Sequence, residues 1–336
     1  MSPSQPSGPR LALRTSAPQG RAVTDPTVAE CRAIMARHAK SFSFAARLLA
    51  PDVRDETAVV YAYLRRVDDS IDDAPDAERP AALASLRAEL DRIYGDGDAL
   101  DPVPAAFRTI ARRRAIPRVY IDELLAGMAM DAEGFVYETD RDLLRYCHRA
   151  AGVVGLLMCH VFGIRDDDAL VQAAHLGWAM QLTNICRDVA EDWGMGRRYL
   201  PAERYRELGV EAPEPAPGPF PAAANLPTRA VIRELLLLAD DLYDSGREGL
   251  PALPWQASFA VAAAADIYQA IGDRIAAQAF DPTRGRAHVD TRGKVGIAGR
   301  SLVQRLRAGA DRRPVRIPSR ELTFEEAERG WRARRR

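Results

Sequence analysis

Apolar residues recur every three to four positions along most of this chain, a period typical of amphipathic helices. The pattern is nearly continuous from residue 27 to about 209, where Ala, Leu, Arg and Glu, all strong helix formers, dominate. No segment alternates apolar and polar residues with β-branched enrichment, so we predict no sheet. The sequence predicts an all-α protein whose clearest helical runs are 34–49, 56–71, 81–94, 121–130, 143–162, 169–190, 228–249, 257–279 and 295–308.

Three segments depart from the helical pattern and set the predicted domain limits. Residues 1–26 are rich in Ser, Pro, Gly and Arg, which predicts a disordered leader. The many prolines of 211–227 are incompatible with a helix interior and predict an exposed loop. Residues 309–336 are Arg-rich with little pattern, and we interpret them as a tail. One domain over 27–308 remains.

Composition excludes some classes of partner and of location. The 47 basic and 47 acidic residues cancel, so no overall field attracts nucleic acid, and we expect no nucleic-acid partner. The longest apolar run, 152–164, is shorter than a membrane-spanning helix and contains a histidine. We therefore expect a cytoplasmic protein that associates with membranes peripherally at most. The Arg-rich tail is either an aid to that association or a solvated end.

The four cysteines form no CxxC pair and no Cys/His spacing of the kind that binds metal. Each lies in an apolar or helical context. We expect reduced thiols in the core at Cys31, Cys147, Cys159 and Cys186.

An acidic cluster interrupts the apolar pattern of the second helical run. Tyr61, Arg65, Asp68 and Asp72 fall on one face of a helix, at spacings of four, three and four residues. Like charges at i and i+4 repel each other, so a purely structural role is disfavoured. A divalent cation removes the conflict, and magnesium binds carboxylates together with substrate phosphates.

A second cluster of similar character lies in the run 169–190. Asn184, Asp188 and Asp192 share a face at i, i+4 and i+8, and Gln181 lies one turn earlier. Either cluster alone fits an ordinary charged helix face about as well. Two clusters about 120 residues apart, each with an arginine shortly before its first aspartate, favour a shared metal–diphosphate site.

The two clusters resemble the two aspartate-rich motifs of the squalene/phytoene synthase family. Further segments match that family in the same order along the chain. They are His-Ala-Lys-Ser-Phe-Ser at 38–43, Arg-Tyr-Cys and Ala-Gly-Val-Val-Gly within 145–155, Arg-Tyr-Leu-Pro at 198–201, and Tyr268 followed by Arg286. The resemblance covers about residues 28–308 and implies a single-domain, isoprenoid-synthase-type helical bundle with a central cavity.

The resemblance also implies roles for individual residues. Metal and diphosphate binding falls to Asp68, Asp72, Asp188, Asp192 and Asn184, with Asp69, Asp73 and Glu191 as ligands or as their supports. Diphosphate contacts fall to His38, Lys40, Ser41, Arg65, Arg187 and Arg286. Gln181, Phe42, Tyr61, Tyr146 and Tyr268 complete the substrate pocket, with Tyr61 and Tyr146 among the expected catalytic residues because ring faces stabilise carbocations.

The implied activity is that of a magnesium-dependent prenyl transferase with several ions per site, for which Mn²⁺ is an expected substitute. The blocks 145–158 and 181–201 look more like bacterial phytoene synthases than squalene synthases. We therefore expect two geranylgeranyl diphosphates to be joined head to head, through a cyclopropyl (prephytoene) diphosphate, to 15-cis-phytoene without NADPH. Neighbouring carotenoid enzymes are expected partners.

Three alternatives remain open from the sequence. A C30 enzyme using farnesyl diphosphate would make squalene, presqualene diphosphate or dehydrosqualene with nearly the same residues. A terpene cyclase shares the magnesium chemistry but lacks the signatures for a second substrate. A non-catalytic relative serving as an assembly protein would have no need of the clustered carboxylates and arginines.

Overall fold

The computed structural model describes residues 26–39, 43, 46, 47, 49–95, 100–216, 218–308 and 313–335. Within these ranges the chain is helical, and the only β contact is an isolated bridge between Ile164 and Arg316. The prediction of an all-α fold is confirmed. The predicted leader over 1–26 lies outside the described residues apart from Pro26.

Thirteen α-helices are found in the described part of the chain. They are α1 (Pro26–His38), α2 (Pro51–Asp72), α3 (Arg79–Tyr94), α4 (Pro102–Arg113), α5 (Arg118–Ala132), α6 (Asp140–Cys147), α7 (Val153–Phe162), α8 (Ala169–Gly194), α9 (Ala202–Glu207), α10 (Ala222–Glu248), α11 (Trp255–Ala277), α12 (Thr291–Ala308) and α13 (Phe324–Arg334). A π-helical turn, His148–Gly152, joins α6 to α7.

Local sequence explains where several helices begin. Prolines occupy the first turn of α2, α3 and α4, where the missing N–H has no partner to lose. The α6 helix starts with a capping box in which Thr139 and Asp142 satisfy each other's backbone N–H groups. These signals fix the helix starts independently of tertiary packing.

The long helix α8 lies at the centre and packs against α7, α10, α11 and the π-helical turn. Glycines allow the closest of these approaches. A Cβ on Gly177 would lie 2.5 Å from the Ala151 carbonyl oxygen, and one on Gly155 would lie 2.6 Å from the Ala173 carbonyl oxygen. At Gly155, as at Gly177, two stretches of helical backbone are therefore in direct contact.

Two boundaries differ from the prediction within the domain. The first helix, Pro26–His38, starts eight residues before the predicted run 34–49, because Pro26 supplies the fixed φ of a first turn. It ends at His38, while Ser43 and Ala46 of the predicted run are helical and most of its other residues after 39 lie outside the described ones. The predicted loop 211–227 ends at Pro221, and Pro227 lies inside α10. Burial of Val231, Ile232 and Leu235 on the same helix outweighs the one hydrogen bond that Pro227 removes.

The predicted tail over 309–336 contains an ordered helix. The α13 helix starts with a capping box between Thr323 and Glu326, and it buries Phe324, Ala327 and Trp331. Aromatic contacts with the body hold it, including Trp331 against the His175 ring at a centroid distance of 5.9 Å. Phe324, Ala327 and Trp331 form an apolar stripe at i, i+3 and i+7. The stripe was not identified from the sequence because arginine dominates this segment.

All four cysteines are buried and none forms a disulfide, as expected. The histidines His148, His160 and His175 are also buried, and each hydrogen-bonds within the fold. None of the helices in the described ranges is both long and apolar enough to cross a membrane.

Candidate active site

The first acidic cluster lies on the half-exposed face of α2. The opposite face buries Val60, Val67 and Ile71 in the core. Arg65 lies one turn before the acids, and its Nη1 donates to Asp68 Oδ2 at 3.0 Å. The same guanidinium also pairs with Asp69. One arginine therefore neutralises part of the repulsion among these carboxylates.

The second cluster lies on α8 and is held by two arginines. Arg187 donates through Nε to Asp188 Oδ1 at 2.8 Å, and Arg286 reaches the same oxygen at 2.9 Å. Arg286 also lies 3.6 Å from Glu191. The structure thus places Arg286, which lies 98 residues further along the chain, against the second cluster.

The amide of Asn184 carries an unusual polar atom. Its Nδ2 donates to Gln181 Oε1 at 3.4 Å, while its Oδ1 is buried without a hydrogen-bond partner among the described residues. A buried acceptor without a donor costs free energy. A cation bound on this face would satisfy the oxygen, and an amide oxygen suits a hard cation.

A partly buried carboxylate, Asp131 of α5, connects the two clusters. Its two oxygens accept hydrogen bonds from the Tyr146 and Tyr199 hydroxyls, each at 2.8 Å. The charge of Asp131 contributes to raising the pKa of both Asp68 and Asp192, which places it near both clusters. Arg197 lies near these carboxylates as well, with a guanidinium nitrogen 3.8 Å from an oxygen of Asp72.

Two acids, Asp68 in the first cluster and Asp192 in the second, hold their protons more tightly than ordinary carboxyls. Burial and the charge of Asp72 raise the pKa of Asp68 to about 6. Burial and the charge of Asp188 raise the pKa of Asp192 to about 7. Shared negative charge of this kind is relieved by a cation. Even so, no set of three or more His, Cys, Asp or Glu side chains in the described ranges is already arranged around a metal position.

An apolar cavity of about 260 Å³ opens beside the second cluster. Gln181, Asn184 and Tyr268 line one end of it, and Ala169 lies fifteen residues before Asn184 on the same helix. Many of its wall residues are small, which leaves room between helices. They are Ala46, Ala150, Ala151, Gly155, Ala169, Ala173, Gly177, Gly246, Gly249, Ala260 and Ala264.

The structure brings together most of the predicted site residues. The Tyr61 hydroxyl contributes to raising the pKa of Arg65, and the Tyr268 hydroxyl to raising that of Arg187, which places each tyrosine near an arginine of the site. Burial raises the pKa of both tyrosines. His38 is exposed at the end of α1 and shares a surface cleft with Arg65 and Asp69. Lys40, Ser41 and Phe42 lie outside the described residues.

Sequence reasoning missed Asp131 and Arg197, and it gave Tyr199 no role. One signal for Asp131 was available. It is the single acid in the apolar stretch Leu-Leu-Ala-Gly-Met-Ala-Met-Asp at 124–131, and a buried acid needs partners. Arg197 carried no comparable signal, because its turn after α8 looks like any polar helix end.

Comparisons with known proteins agree with this geometry. Residues 35–293 match the family model described as squalene/phytoene synthase. A 15-cis-phytoene synthase from a Paracoccus species is 40% identical over 268 residues, covering 77% of this chain and 86% of that protein. A presqualene diphosphate synthase from Rhodopseudomonas palustris is 36% identical over 177 residues, covering 52% of this chain and 63% of that protein.

Among solved structures, a dehydrosqualene synthase bound to a ligand superposes with a TM-score of 0.75 at 30% identity, covering 84% of this chain and 98% of that one. The chain therefore belongs to the squalene/phytoene synthase family.

Proposed function

We propose that this chain is a phytoene synthase that joins two geranylgeranyl diphosphates head to head and releases 15-cis-phytoene. The observation that carries the proposal is the apolar cavity that starts at the acidic site. From Asn184 to Ala169 its wall follows α8 for fifteen residues, about 22 Å at the rise of an α-helix. Small wall residues along that length suit a long prenyl chain. The similarity to the Paracoccus phytoene synthase supports the same substrate.

The reaction proceeds in two ionisations. The allylic C–O bond of one substrate breaks, and the double bond of the second attacks the resulting cation, with loss of one proton, to give prephytoene diphosphate. Its own C–O bond then breaks, the cyclopropane rearranges, and loss of a second proton gives phytoene. Two diphosphates leave, and no hydride is added, so the balance requires no nicotinamide cofactor.

Arginines of the site would bind and orient the diphosphates. Arg65, Arg187 and Arg286 now bond to carboxylates at the ends of the two clusters. A diphosphate between the clusters would offer these guanidinium groups more negative oxygens at similar positions. His38, Lys40 and Ser41 are proposed further contacts from the first-helix segment.

The donors present suit magnesium. We assign Asp68, Asp72, Asp188, Asp192 and the unpartnered Asn184 Oδ1 as its ligands, with Asp69 and Glu191 as further carboxylates nearby. When bound, the ions withdraw charge from the leaving diphosphates as Lewis acids. Manganese, which takes the same oxygen ligands, is the expected substitute.

Aromatic side chains would protect the cationic intermediates. Tyr268 lines the cavity, and Tyr61 lies beside the first cluster. Burial and the charge of Asp131 raise the pKa of Tyr146 well above its usual value, so its hydroxyl stays protonated and is a poor nucleophile. Ring faces stabilise a desolvated cation by about 0.5–2 kcal/mol without reacting with it.

Product analysis tests the proposal directly. Purified protein is incubated with geranylgeranyl or farnesyl diphosphate, with and without NADPH, and with magnesium or excess chelator. We expect a C40 hydrocarbon that needs magnesium and ignores NADPH. A C30 product formed faster than any C40 product would favour the second candidate function, a C30 synthase. The similarity to a presqualene diphosphate synthase and to a dehydrosqualene synthase supports that candidate.

We also propose a cytoplasmic location with peripheral membrane contact, because the substrates and product carry long hydrocarbon chains. Enzymes that consume phytoene are the proposed partners at that surface.

A further inference from the structure

The α12 helix exposes an apolar stripe to solvent. Its buried side, with Ile297, Ala298 and Ser301, packs against α11. On the other side Val295 is 55%, Val303 46% and Leu306 61% exposed. Their spacing of eight and three residues places them within one face of the helix. A helix that is apolar on both sides normally buries both.

The same helix is strongly basic. Its eighteen residues, Thr-Arg-Gly-Lys-Val-Gly-Ile-Ala-Gly-Arg-Ser-Leu-Val-Gln-Arg-Leu-Arg-Ala, include five Arg or Lys and no acid. Arg292 and Arg300 are exposed, Lys294 is half-buried, and none of the three has an ion-pair partner in the described ranges. A helix with an apolar stripe flanked by unpaired cations suits an anionic lipid surface.

Four arginines of the other basic segment, residues 313–335, already form ion pairs within the fold. Arg316 pairs with Asp167, Arg332 with Glu328, and Arg334 with Glu248. Arg320 pairs with Glu326. Arg316 and Arg334 thus tie this segment to the body, while Arg320 and Arg332 pair within it. These four arginines offer less free charge to a membrane than α12 does.

The position of α12 connects it to the active site. The helix starts five residues after Arg286, whose guanidinium contacts Asp188 of the second cluster. It packs on α11, and α11 contributes Ala260, Ala264 and Tyr268 to the apolar cavity. A surface bound to α12 would therefore lie close to the site that takes up prenyl chains.

We propose that α12 docks this protein on anionic lipid bilayers, inserting Val295, Val303 and Leu306 among the lipids while Arg292 and Arg300 contact the headgroups. The inference rests on the proposed function only in that a prenyl substrate explains the need for such docking. The binding itself is independent of turnover.

Vesicle flotation of the full chain tests the docking surface. The vesicles are phosphatidylcholine with or without phosphatidylglycerol, and the variants are Val303→Glu/Leu306→Glu and Arg292→Gln/Arg300→Gln. Matched controls are Leu226→Glu/Leu237→Glu on α10 and Arg87→Gln/Arg233→Gln on α3 and α10, all at exposed positions. We expect wild type and controls to float only with anionic vesicles.

Loss of the two α12 arginines should weaken partitioning by about thirtyfold, and the glutamate pair should lower it at least as much. Circular dichroism and activity in detergent micelles should remain at wild-type values for every variant.

Equal flotation of the α12 variants and controls would overturn the proposal, as would no binding by wild type. A concentration-dependent dimer that only the glutamate pair abolishes, without vesicle binding, would assign the stripe to a second copy instead. Absence of a C40 product with intact flotation would count against the proposed function alone.

Discussion

At the residue scale, Asp131 holds two tyrosines in place within the candidate active site. Its oxygens accept from the Tyr146 and Tyr199 hydroxyls, and burial raises the pKa of the carboxyl. An amide retains one acceptor but presents N–H groups where a hydroxyl has been donating. We expect Asp131→Asn to lower kcat by about tenfold to a hundredfold, the range for a hydrogen bond to a charged group.

The matched control for Asp131→Asn is Asp122→Asn on the same helix. Asp122 pairs with the exposed Arg118, so its loss should leave kcat unchanged. The melting temperature separates the two effects. If Asp131→Asn retains wild-type kcat, the tyrosine orientation set by Asp131 is irrelevant to turnover.

A pH dependence of stability follows from Asp68 and Asp192. Their pKa values in the fold, about 6 and about 7, exceed those of an unfolded chain. The folded state thus binds more protons between about pH 4 and 7, so its stability falls as the pH rises through that window. In chelator, the melting temperature should be higher at pH 5 than at pH 7.5, and the double Asn variant should reduce the difference.

Magnesium supplies the complementary measurement. Added to wild type at pH 7.5, it should raise the melting temperature, because a ligand that binds only the folded state stabilises that state. The effect should weaken at pH 5, where protons compete for Asp68 and Asp192. An equal magnesium effect at both pH values would contradict the assignment of these two acids as ligands.

At the element scale, the contact of α8 with the π-helical turn depends on Gly177. A Cβ there would lie 2.5 Å from one backbone oxygen and 2.7 Å from its carbon, both of Ala151. Backbone atoms cannot rotate away, so the helices must separate. We expect Gly177→Ala to lower the free energy of unfolding by about 1–3 kcal/mol, measured by urea denaturation.

Gly194, at the end of the same helix, is the control for Gly177. A Cβ added there meets nothing within 4 Å. Gly194→Ala should therefore be neutral, or should stabilise by about 0.4–1 kcal/mol by restricting the unfolded chain. Equal effects of the two substitutions would show that helix spacing at Ala151 is not limiting.

Most helices could be predicted because their apolar period is local information. The runs 56–71 and 169–190 lie entirely inside α2 and α8. The exceptions depended on context. Pro227 is accommodated because the rest of α10 is buried, and α13 exists because its stripe has a body to pack on. A clearer reading of Thr323 and Glu326 as a capping box would have indicated α13.

The candidate site was predictable to a similar degree. The helical spacing of the acids is visible in the sequence itself, so Asp68 and Asp188 could be identified as candidate site residues from the sequence alone. The approach of Arg286 and Asp131 to those clusters depends on how distant helices pack, as the contact between Arg286 and Asp188 shows. Residue spacing along one helix contains no information about such contacts.

At the scale of the whole molecule, four helices and the π-helical turn combine to enclose the apolar cavity. The α7, α8, α10 and α11 helices supply most of its wall, and Ala46 and Leu49, near the start of α2, complete it. Asn184 of the second cluster lines this cavity, so we expect the depth beyond Asn184 to limit the length of the prenyl chain that fits. The depth of the cavity depends on how the helices pack together, so the sequence of any single helix does not determine it.

A larger side chain at the far end should therefore change the product. Ala169 is 7% exposed and lies fifteen residues from Asn184 along α8. Phenylalanine at position 169 would fill space that the last isoprene unit occupies, and burial of its five carbons is worth about 4 kcal/mol. For Ala169→Phe we expect kcat/KM for geranylgeranyl diphosphate to fall by at least about a hundredfold, while that for farnesyl diphosphate changes little. Ala84→Phe, on the exposed face of α3, is the control for the bulk of the side chain. Competition between the two diphosphates, with the C30 and C40 hydrocarbons quantified by mass spectrometry, gives the ratio of the two kcat/KM values directly.

A parallel fall of kcat/KM for both substrates in Ala169→Phe would show that Ala169 supports the fold without limiting the chain length.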